Sequence, residues 1–194
     1  HPCQQLLMKF VIEHLEPRVS EWVKLEYKNI SKMVGAGNLI FTNVKKPTDF
    51  LRGLGEVRVE SVTKSPLPNM IVLDPEAKEE LMPADCKKFD YLVFGGILGD
   101  YPPRKRTQEE ITSKIDAPIR NLGPIQMSTD TAVRVAKMIS DGKKLSEIPF
   151  SDEISIEVAQ GEAVDLPYRY VVGKDGDPLL PDGLVEYLKK KRSF

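Results

Sequence analysis

The feature that most constrains the fold is the alternation of short apolar runs with amphipathic stretches of helical period. The apolar runs lie at residues 9–12, 38–44, 56–62, 70–73, 90–94 and 118–122. Short apolar runs bounded by turn residues are typical of buried strands, and the intervening stretches predict helices. Strands that alternate with helices predict an α/β fold with a largely parallel sheet flanked by helices.

Two helices carry clear start and stop signals. Residues 19–34 repeat apolar side chains at the period of an α-helix, with Ser20 as the expected N-cap and Gly35 after the last turn. Residues 128–141 repeat the pattern, and Gly142 follows them. Both are expected to cover the sheet.

Weaker signals predict five further helices or strands. The pair Asp74–Pro75 predicts a helix start after the strand at 70–73. A helix is also expected from Thr107 to about residue 115. Strands at 154–158 and 168–172 and a final helix from about Leu184 complete the chain.

The size of the chain fits one domain. It has 194 residues, with 28 Lys+Arg against 29 Asp+Glu. We expect residues 1–7 to be an expression remnant or a disordered end, and residues 8–194 to form a single domain with a C-terminal appendage from about residue 150. No apolar run approaches the ~18 to 20 residues that a membrane span needs.

Cysteine and histidine are scarce. Two Cys and two His leave no disulfide framework and no metal site, which favours a reducing, cytoplasmic setting. Cys86 stands in a polar turn and is interpreted as structural or exposed. His14, between Glu13 and Glu16, is interpreted as a solvated turn histidine.

Two glycine-rich segments follow strands of the predicted sheet. They are 95–100 and 121–129. In open parallel sheets, such segments at the carboxyl ends of strands either bind small ligands or only shape turns. The pattern G-G-x-x-G is not a dinucleotide fingerprint, and no P-loop is present, so a classical NAD enzyme is not expected.

Three blocks of sequence suggest a family. Residues 94–107 read Phe-Gly-Gly-Ile-Leu-Gly-Asp-Tyr-Pro-Pro-Arg-Lys-Arg-Thr, and residues 120–132 read Arg-Asn-Leu-Gly-Pro-Ile-Gln-Met-Ser-Thr-Asp-Thr-Ala. Together with residues 12–22, they resemble the branch of the SPOUT superfamily that includes the yeast ribosomal-protein arginine methyltransferase and its archaeal relatives. The resemblance implies a SPOUT fold with a C-terminal trefoil knot, and a methyltransferase that uses S-adenosyl-L-methionine (SAM).

The resemblance also implies where SAM binds. The expected cofactor-binding residues are Leu73, Gly95, Gly96, Ile97, Gly99, Asn121, Leu122, Gly123, Ile125, Met127, Ser128 and Thr129. Backbone groups at Leu122, Ile125 and Met127 are expected at the adenine edge, and Ile97 with Met127 as apolar walls. The three glycines at 95, 96 and 99 would let the main chain approach the ribose and methionine moieties.

An arginine acceptor would require acids, because its guanidinium is protonated at neutral pH. Glu13, Glu16 and Asp100 are the candidates to orient it and receive a proton. Arg104 follows a rigid Pro-Pro turn and is expected to contact a phosphate or an acidic partner.

Three functions stay open. The leading one is methylation of arginine in a ribosomal protein. RNA methylation, the commonest SPOUT activity, and a non-catalytic SAM-binding module are the alternatives. Near-neutral charge favours a protein acceptor over structured RNA. We expect neither DNA nor membrane partners, and the choice between homodimer and monomer stays open.

Overall fold

The structure, a computed structural model, describes residues 8–96 and 106–192. The strands are β1 Lys9–His14, β2 Leu39–Thr42, β3 Glu56–Val57, β4 Met70–Leu73, β5 Tyr91–Gly96, β6 Ile119–Arg120, β7 Phe150–Ser151, β8 Ile154–Ala159, β9 Glu162–Leu166 and β10 Tyr170–Val171. The α-helices are α1 Glu21–Val34, α2 Asp49–Arg52, α3 Pro83–Lys88, α4 Arg106–Glu110, α5 Thr129–Ser140 and α6 Leu184–Arg192. Short 3-10 turns lie at Ala36–Asn38, Thr112–Lys114 and Leu145–Glu147.

The centre of the molecule is a six-stranded sheet in the order β3-β2-β1-β5-β4-β6. Every neighbouring pair in it is parallel. Parallel strands need crossover connections, which here run through helices and long loops. This confirms the predicted α/β fold with a largely parallel sheet flanked by helices.

The two faces of the sheet bury different side chains. Phe10 and Ile12 of β1 pack on one face, in the cluster that includes the apolar side of α1 and α5. Val11 points to the other face, into a smaller cluster with Val93 and Ile111. This alternation follows from the two-residue period of a strand.

Helix α1 begins and ends where its signals predict. The Ser20 hydroxyl accepts a hydrogen bond from the Val23 N–H at 3.3 Å, and Gly35 ends the helix at a φ of 87°. A positive φ is strained for residues with a Cβ, so glycine suits this C-cap. The prediction of the α1 boundaries is confirmed to within two residues.

The C-terminal part forms a smaller packed unit. Strand β7 pairs with β10, and β8 with β9, both antiparallel. The buried side chains of β8 and β9 and Tyr170 of β10 join those of α6 in a third cluster, which packs against Trp22 and Leu25 of α1. The division into one domain with an appendage stays a prediction, as does the trefoil knot, because residues 97–105 lie outside the described ranges.

Three of the predicted elements are wrong in detail. The helix expected from Thr107 to about residue 115 is α-helical only over α4, and a 3-10 turn follows at Thr112–Lys114. Asp74 does not begin a helix: its carboxylate accepts from the Glu76 N–H at 2.9 Å and its carbonyl from the Ala77 N–H at 3.0 Å, which closes a turn. The expected strand at 56–62 pairs regularly only over β3. Opposite it Asn43 adopts a φ of 60°, which interrupts the ladder.

Helix α3 and strands β7 and β9 escape the sequence interpretation, and β7 is only two residues long. Helix α3 is only six residues long, too short for a periodic pattern to show. Strand β9 pairs with β8 through a tight turn at Gln160 and Gly161, where Gly161 has a φ of 74°. Within the described ranges, no helix is long and apolar enough to cross a membrane.

Candidate functional site

The carboxyl ends of the sheet strands meet at one edge, because all six strands are parallel. At this edge Glu13 pairs with Gly95 and His14 with Gly96 across β1 and β5. Leu73 of β4 is in register with Arg120 of β6, which leads into the segment 121–129. The fold therefore brings the predicted loops after β4, β5 and β6 to neighbouring strand ends. We call residues 121–129 the entry segment, because they lead into α5.

Asn121 fixes the start of the entry segment. Its amide donates to the Ala77 carbonyl at 2.9 Å, and its side-chain oxygen accepts from the Gly123 N–H at 2.9 Å. Gly123 has a φ of 95°, and an added Cβ would lie 3.4 Å from a Leu145 methyl group. The turn at Gly123 thus requires glycine, and Asn121 ties it to the loop after β4.

The middle of the entry segment combines an apolar and a polar feature. Ile125 is 41% exposed, although it is a large aliphatic residue. Next to it, the Gln126 side-chain oxygen is buried without a hydrogen-bond partner among the described residues. The Gln126 carbonyl accepts from the Arg169 N–H at 2.8 Å, so the C-terminal part holds this stretch. Met127 is half-buried and lies in register with Arg169.

Ser128 and Thr129 are buried at the start of α5. The Ser128 hydroxyl pairs with the Thr131 hydroxyl at 2.8 Å and makes no cap bond to the helix backbone. Leu122 is buried as well. The side chains at these three positions therefore belong to the protein interior, and any contact of theirs with a ligand falls to the backbone.

Glu13 is buried and carries several hydrogen bonds within the fold. Its carboxylate accepts from the Thr42 hydroxyl at 2.7 Å, from the Val62 N–H at 3.0 Å and from the Ser61 hydroxyl. These donors come from β2 and from the loop after β3. Glu13 therefore joins the end of β1 to that loop, and its role as a catalytic acid stays a prediction.

The interpretation of His14 as a solvated turn residue is wrong. Strand β1 extends to His14, whose ring is buried with Nδ1 2.6 Å from the Tyr27 hydroxyl. Burial lowers the pKa of His14, so the ring is neutral at neutral pH. Glu16, two residues on, is half-buried between β1 and α1.

Four of the predicted site residues lie outside the described ranges: Ile97, Gly99, Asp100 and Arg104. Gly95 and Gly96 are placed as the last two residues of β5.

Cys86 lies in α3, and burial, followed by the charges of Asp85 and Asp141, raises the pKa of its thiol to about 12. A neutral thiol is a poor nucleophile.

Sequence reasoning missed a pair of buried carboxyl groups beside the entry segment. Glu26 of α1 and Asp130 of α5 are 2% and 1% exposed. Burial and then the nearby Asp130 charge raise the pKa of Glu26 well above its ordinary value. A signal was present: Glu26 stands on the buried face of α1, between Val23 and Ile30. An acid on such a face indicates a buried polar contact.

A cavity of about 530 Å³ lies at the other end of α5. Apolar residues such as Met33 and Met138 line it together with Arg134, Lys137 and Lys143. Of the predicted site residues that the structure describes, none lines this cavity.

The sequence matches a known family over almost its whole length. A family profile described as "Protein arginine N-methyltransferase SFM1-like" matches residues 9–193. The protein arginine N-methyltransferase SFM1 of Saccharomyces cerevisiae is 40% identical over 202 residues, an alignment that covers 94% of this chain and 95% of the yeast protein.

Solved structures agree with the sequence match. The yeast SFM1 structure complexed with SAM has a TM-score of 0.87 at 38% identity, over 96% of this chain and 92% of the yeast chain. The complex with SAH has a TM-score of 0.86 at 38% identity, over 96% and 97%. Trm10 of Thermococcus kodakaraensis, at 17% identity and a TM-score of 0.53 over 72% of this chain and 96% of its own, shares the fold alone. The chain belongs to the protein arginine N-methyltransferase SFM1-like family.

Proposed function

We propose that this chain transfers a methyl group from SAM to an arginine side chain of a protein. The observation that carries the proposal is the likeness to yeast SFM1 complexed with SAM, at 38% identity over 96% of the chain. A chain this similar over its full fold is expected to keep the strand-end architecture on which a cofactor site depends.

The described residues at the sheet edge fit such a cofactor. Gly123 turns with a φ of 95°, a conformation that residues with a Cβ rarely adopt. Ile125 presents an exposed aliphatic surface suited to a purine face, and the buried Gln126 side-chain oxygen has no donor within residues 8–96 and 106–192. Purine sites combine apolar walls with a few polar groups, and both occur here.

We assign cofactor contacts to three segments. Leu73 ends β4, Gly95 and Gly96 end β5, and the entry segment supplies backbone groups at Leu122, Ile125 and Met127. Bound SAM supplies a methyl group on a sulfonium, which a nucleophile takes by in-line displacement. The task of the chain is then to align acceptor and donor and to exclude water, and no covalent bond to the protein is needed.

Acidic side chains are needed to orient the acceptor arginine and to receive its proton, because a protonated guanidinium has no free lone pair for attack. We assign that role to Glu16 and Asp100, and to Arg104 a contact with an acidic or phosphate group of the partner. Glu13 already accepts three hydrogen bonds from protein donors. We therefore propose that Glu13 holds the loop after β3 in place and acts on the acceptor only indirectly.

A ribosomal protein is the acceptor that we propose, on the strength of the sequence resemblance described above. The chain has 28 basic against 29 acidic residues, so it lacks the strong positive field of an autonomous RNA binder. A cytoplasmic location is part of the proposal. The free Cys86 thiol is compatible with a reducing compartment.

Calorimetric titration with SAM tests the cofactor site. Gly96→Val should abolish binding, because a branched side chain would occupy the space where the backbone approaches the ligand. Gly37→Val is the matched control: nothing lies within 4 Å of a Cβ added at Gly37. If Gly96→Val binds SAM like the wild type while circular dichroism shows a native fold, the loop after β5 is not part of the site.

A further inference from the structure

The N-terminus of α5 is capped from another helix. The residue in the N-cap position, Ser128, bonds to the Thr131 side chain and makes no side-chain hydrogen bond to the backbone of the first turn. Instead, the Glu26 carboxyl of α1 accepts from the Asp130 N–H at 3.4 Å, and the Thr129 N–H also hydrogen-bonds to it. The first N–H groups of a helix have no partner within the helix, so a carboxyl group placed there is favourable.

Glu26 makes this contact from a fully buried position. The apolar face of α1 that carries it packs on α5, and Asn29, one turn further on, donates to Asp130 Oδ2 at 3.0 Å. The other carboxylate oxygen, Asp130 Oδ1, is buried and has no partner among the residues described. A protonated Glu26 is placed to supply that missing donor, since its own burial favours the neutral acid.

We propose that Glu26 is a positioning residue that fixes the entry segment in its cofactor-binding conformation. It does so from the α5 end, by binding the N–H groups of Thr129 and Asp130 and by sharing a proton with Asp130. This inference rests on the proposed function, because it takes the entry segment as a wall of the SAM site.

Each part of the entry segment has its own attachment, and Glu26 provides the last. Asn121 holds the start through the loop after β4. The Arg169 N–H holds the middle at the Gln126 carbonyl. With both of these intact, loss of Glu26 releases only the junction with α5, next to Met127. A local shift there should weaken SAM binding without unfolding the domain.

Three variants separate positioning from general stability. Glu26→Met keeps about the same volume but accepts no hydrogen bond, so it removes the contacts of the carboxyl group without opening a cavity. Glu26→Gln keeps a carbonyl for the helix N–H groups and an amide that can donate to Asp130. Asp182→Ala is the control. It removes an exposed acid that forms an ion pair at 2.9 Å with Lys32, which lies in α1 as Glu26 does.

The readouts are SAM affinity by calorimetry and hydrogen exchange of the peptide covering residues 121–131, both under conditions where urea titration shows each variant folded. Glu26→Met should weaken SAM binding by about tenfold, the scale of one lost cap, and should speed exchange in that peptide. Glu26→Gln and Asp182→Ala should stay within about threefold of the wild type.

Wild-type affinity in folded Glu26→Met, or unchanged exchange at residues 121–131, would overturn the positioning role while leaving the proposed function intact. Equal loss in Glu26→Gln would show that charge, not hydrogen bonding, matters, and would also overturn it. If the wild type itself does not bind SAM, the proposed function fails and the inference with it. If Glu26→Met does not fold, hydrogen exchange at residues 121–131 is compared between Glu26→Gln and the wild type. Because Glu26→Gln keeps the hydrogen bonds, its exchange rates should match those of the wild type, and faster exchange would overturn the positioning role.

Discussion

The Nδ1 atom of His14 lies 2.6 Å from the Tyr27 hydroxyl, which joins the carboxyl end of β1 to helix α1. Both residues are buried. Because His14 also pairs with Gly96 of β5, this contact supports the strand end from which the candidate cofactor loop departs. A residue that sequence reasoning assigned to solvent thus belongs to the framework of the site.

Tyr27→Phe should destabilise the protein by about 1 kcal/mol or somewhat more, because the buried His14 nitrogen loses its partner. The free energy of unfolding from urea titration measures this. Tyr91→Phe is the control, since Tyr91 begins β5 at the opposite edge of the sheet. Equal effects of the two changes would show that the His14 contact contributes nothing specific.

The contribution of Glu26 to stability should fall as pH rises above its ordinary pKa of 4.5. Burial, and then the neighbouring Asp130, raise its pKa well above the ordinary 4.5, so the folded protein keeps a proton that the unfolded chain releases. Each such proton costs up to about 1.4 kcal/mol per pH unit above the unfolded pKa, until the folded pKa is reached.

Glu26→Gln lacks this proton, and its free energy of unfolding should therefore fall less steeply than that of the wild type as pH rises above the ordinary pKa of Glu26. The other groups that face the pair are Tyr170, which titrates only at high pH, and Arg134, which stays cationic. Parallel stability curves for Glu26→Gln and the wild type would contradict the raised pKa.

Glu13→Gln should lower the free energy of unfolding. One Glu13 oxygen accepts from the Thr42 hydroxyl and the Val62 N–H, and the other accepts from the Ser61 hydroxyl, so a glutamine would put its NH₂ against one of these donors and lose the carboxylate charge. We expect a loss of about 1 to 3 kcal/mol in urea titration. A fully stable Glu13→Gln enzyme with turnover reduced by ~100-fold would instead make Glu13 a catalytic acid.

Glu16→Gln should show the opposite pattern. If Glu16 helps to orient the guanidinium or receive its proton, turnover should fall by ~100-fold while SAM affinity and stability stay near those of the wild type. Initial rates on an arginine-containing protein substrate, with SAM calorimetry alongside, measure the split. Unchanged turnover would remove Glu16 from the acceptor site.

Gly123→Ala should weaken both folding and SAM binding. The φ of 95° is unfavourable for alanine, and the new methyl group would press on Leu145 at 3.4 Å. The strain should cost about 1 to 3 kcal/mol. Gly37→Ala, in open space, should be nearly neutral. Stability of Gly123→Ala equal to that of the wild type would show that the turn relaxes.

The sheet and its two covering helices could be predicted because their signals are local. The apolar runs of β1, β4 and β5, and the helical period and N-cap of α1, can each be recognised from residues adjacent in the sequence. The order of strands in the sheet is different, since it depends on pairings between β1 and β5 that lie far apart in the chain. The sequence resemblance supplied the fold family where periodicity could not.

The polar contacts of the site could not be predicted, because each joins distant residues. Asp130 and Glu26 are 104 positions apart, and the Glu13 carboxylate reaches Val62 across 49. Local composition around His14, with acids on both sides, favours solvent, and only the extension of β1 and the contact with Tyr27 bury it. Burial of a polar group depends on partners that a single sequence does not reveal.

The most direct test of the account is to incubate the protein with SAM radiolabelled in the methyl group and a ribosomal extract, and then to digest separate samples with protease and with ribonuclease. The account predicts label in a protein band that protease removes and ribonuclease leaves, and methylarginine on acid hydrolysis of that band. Label that ribonuclease removes, or label on a residue other than arginine, would contradict it.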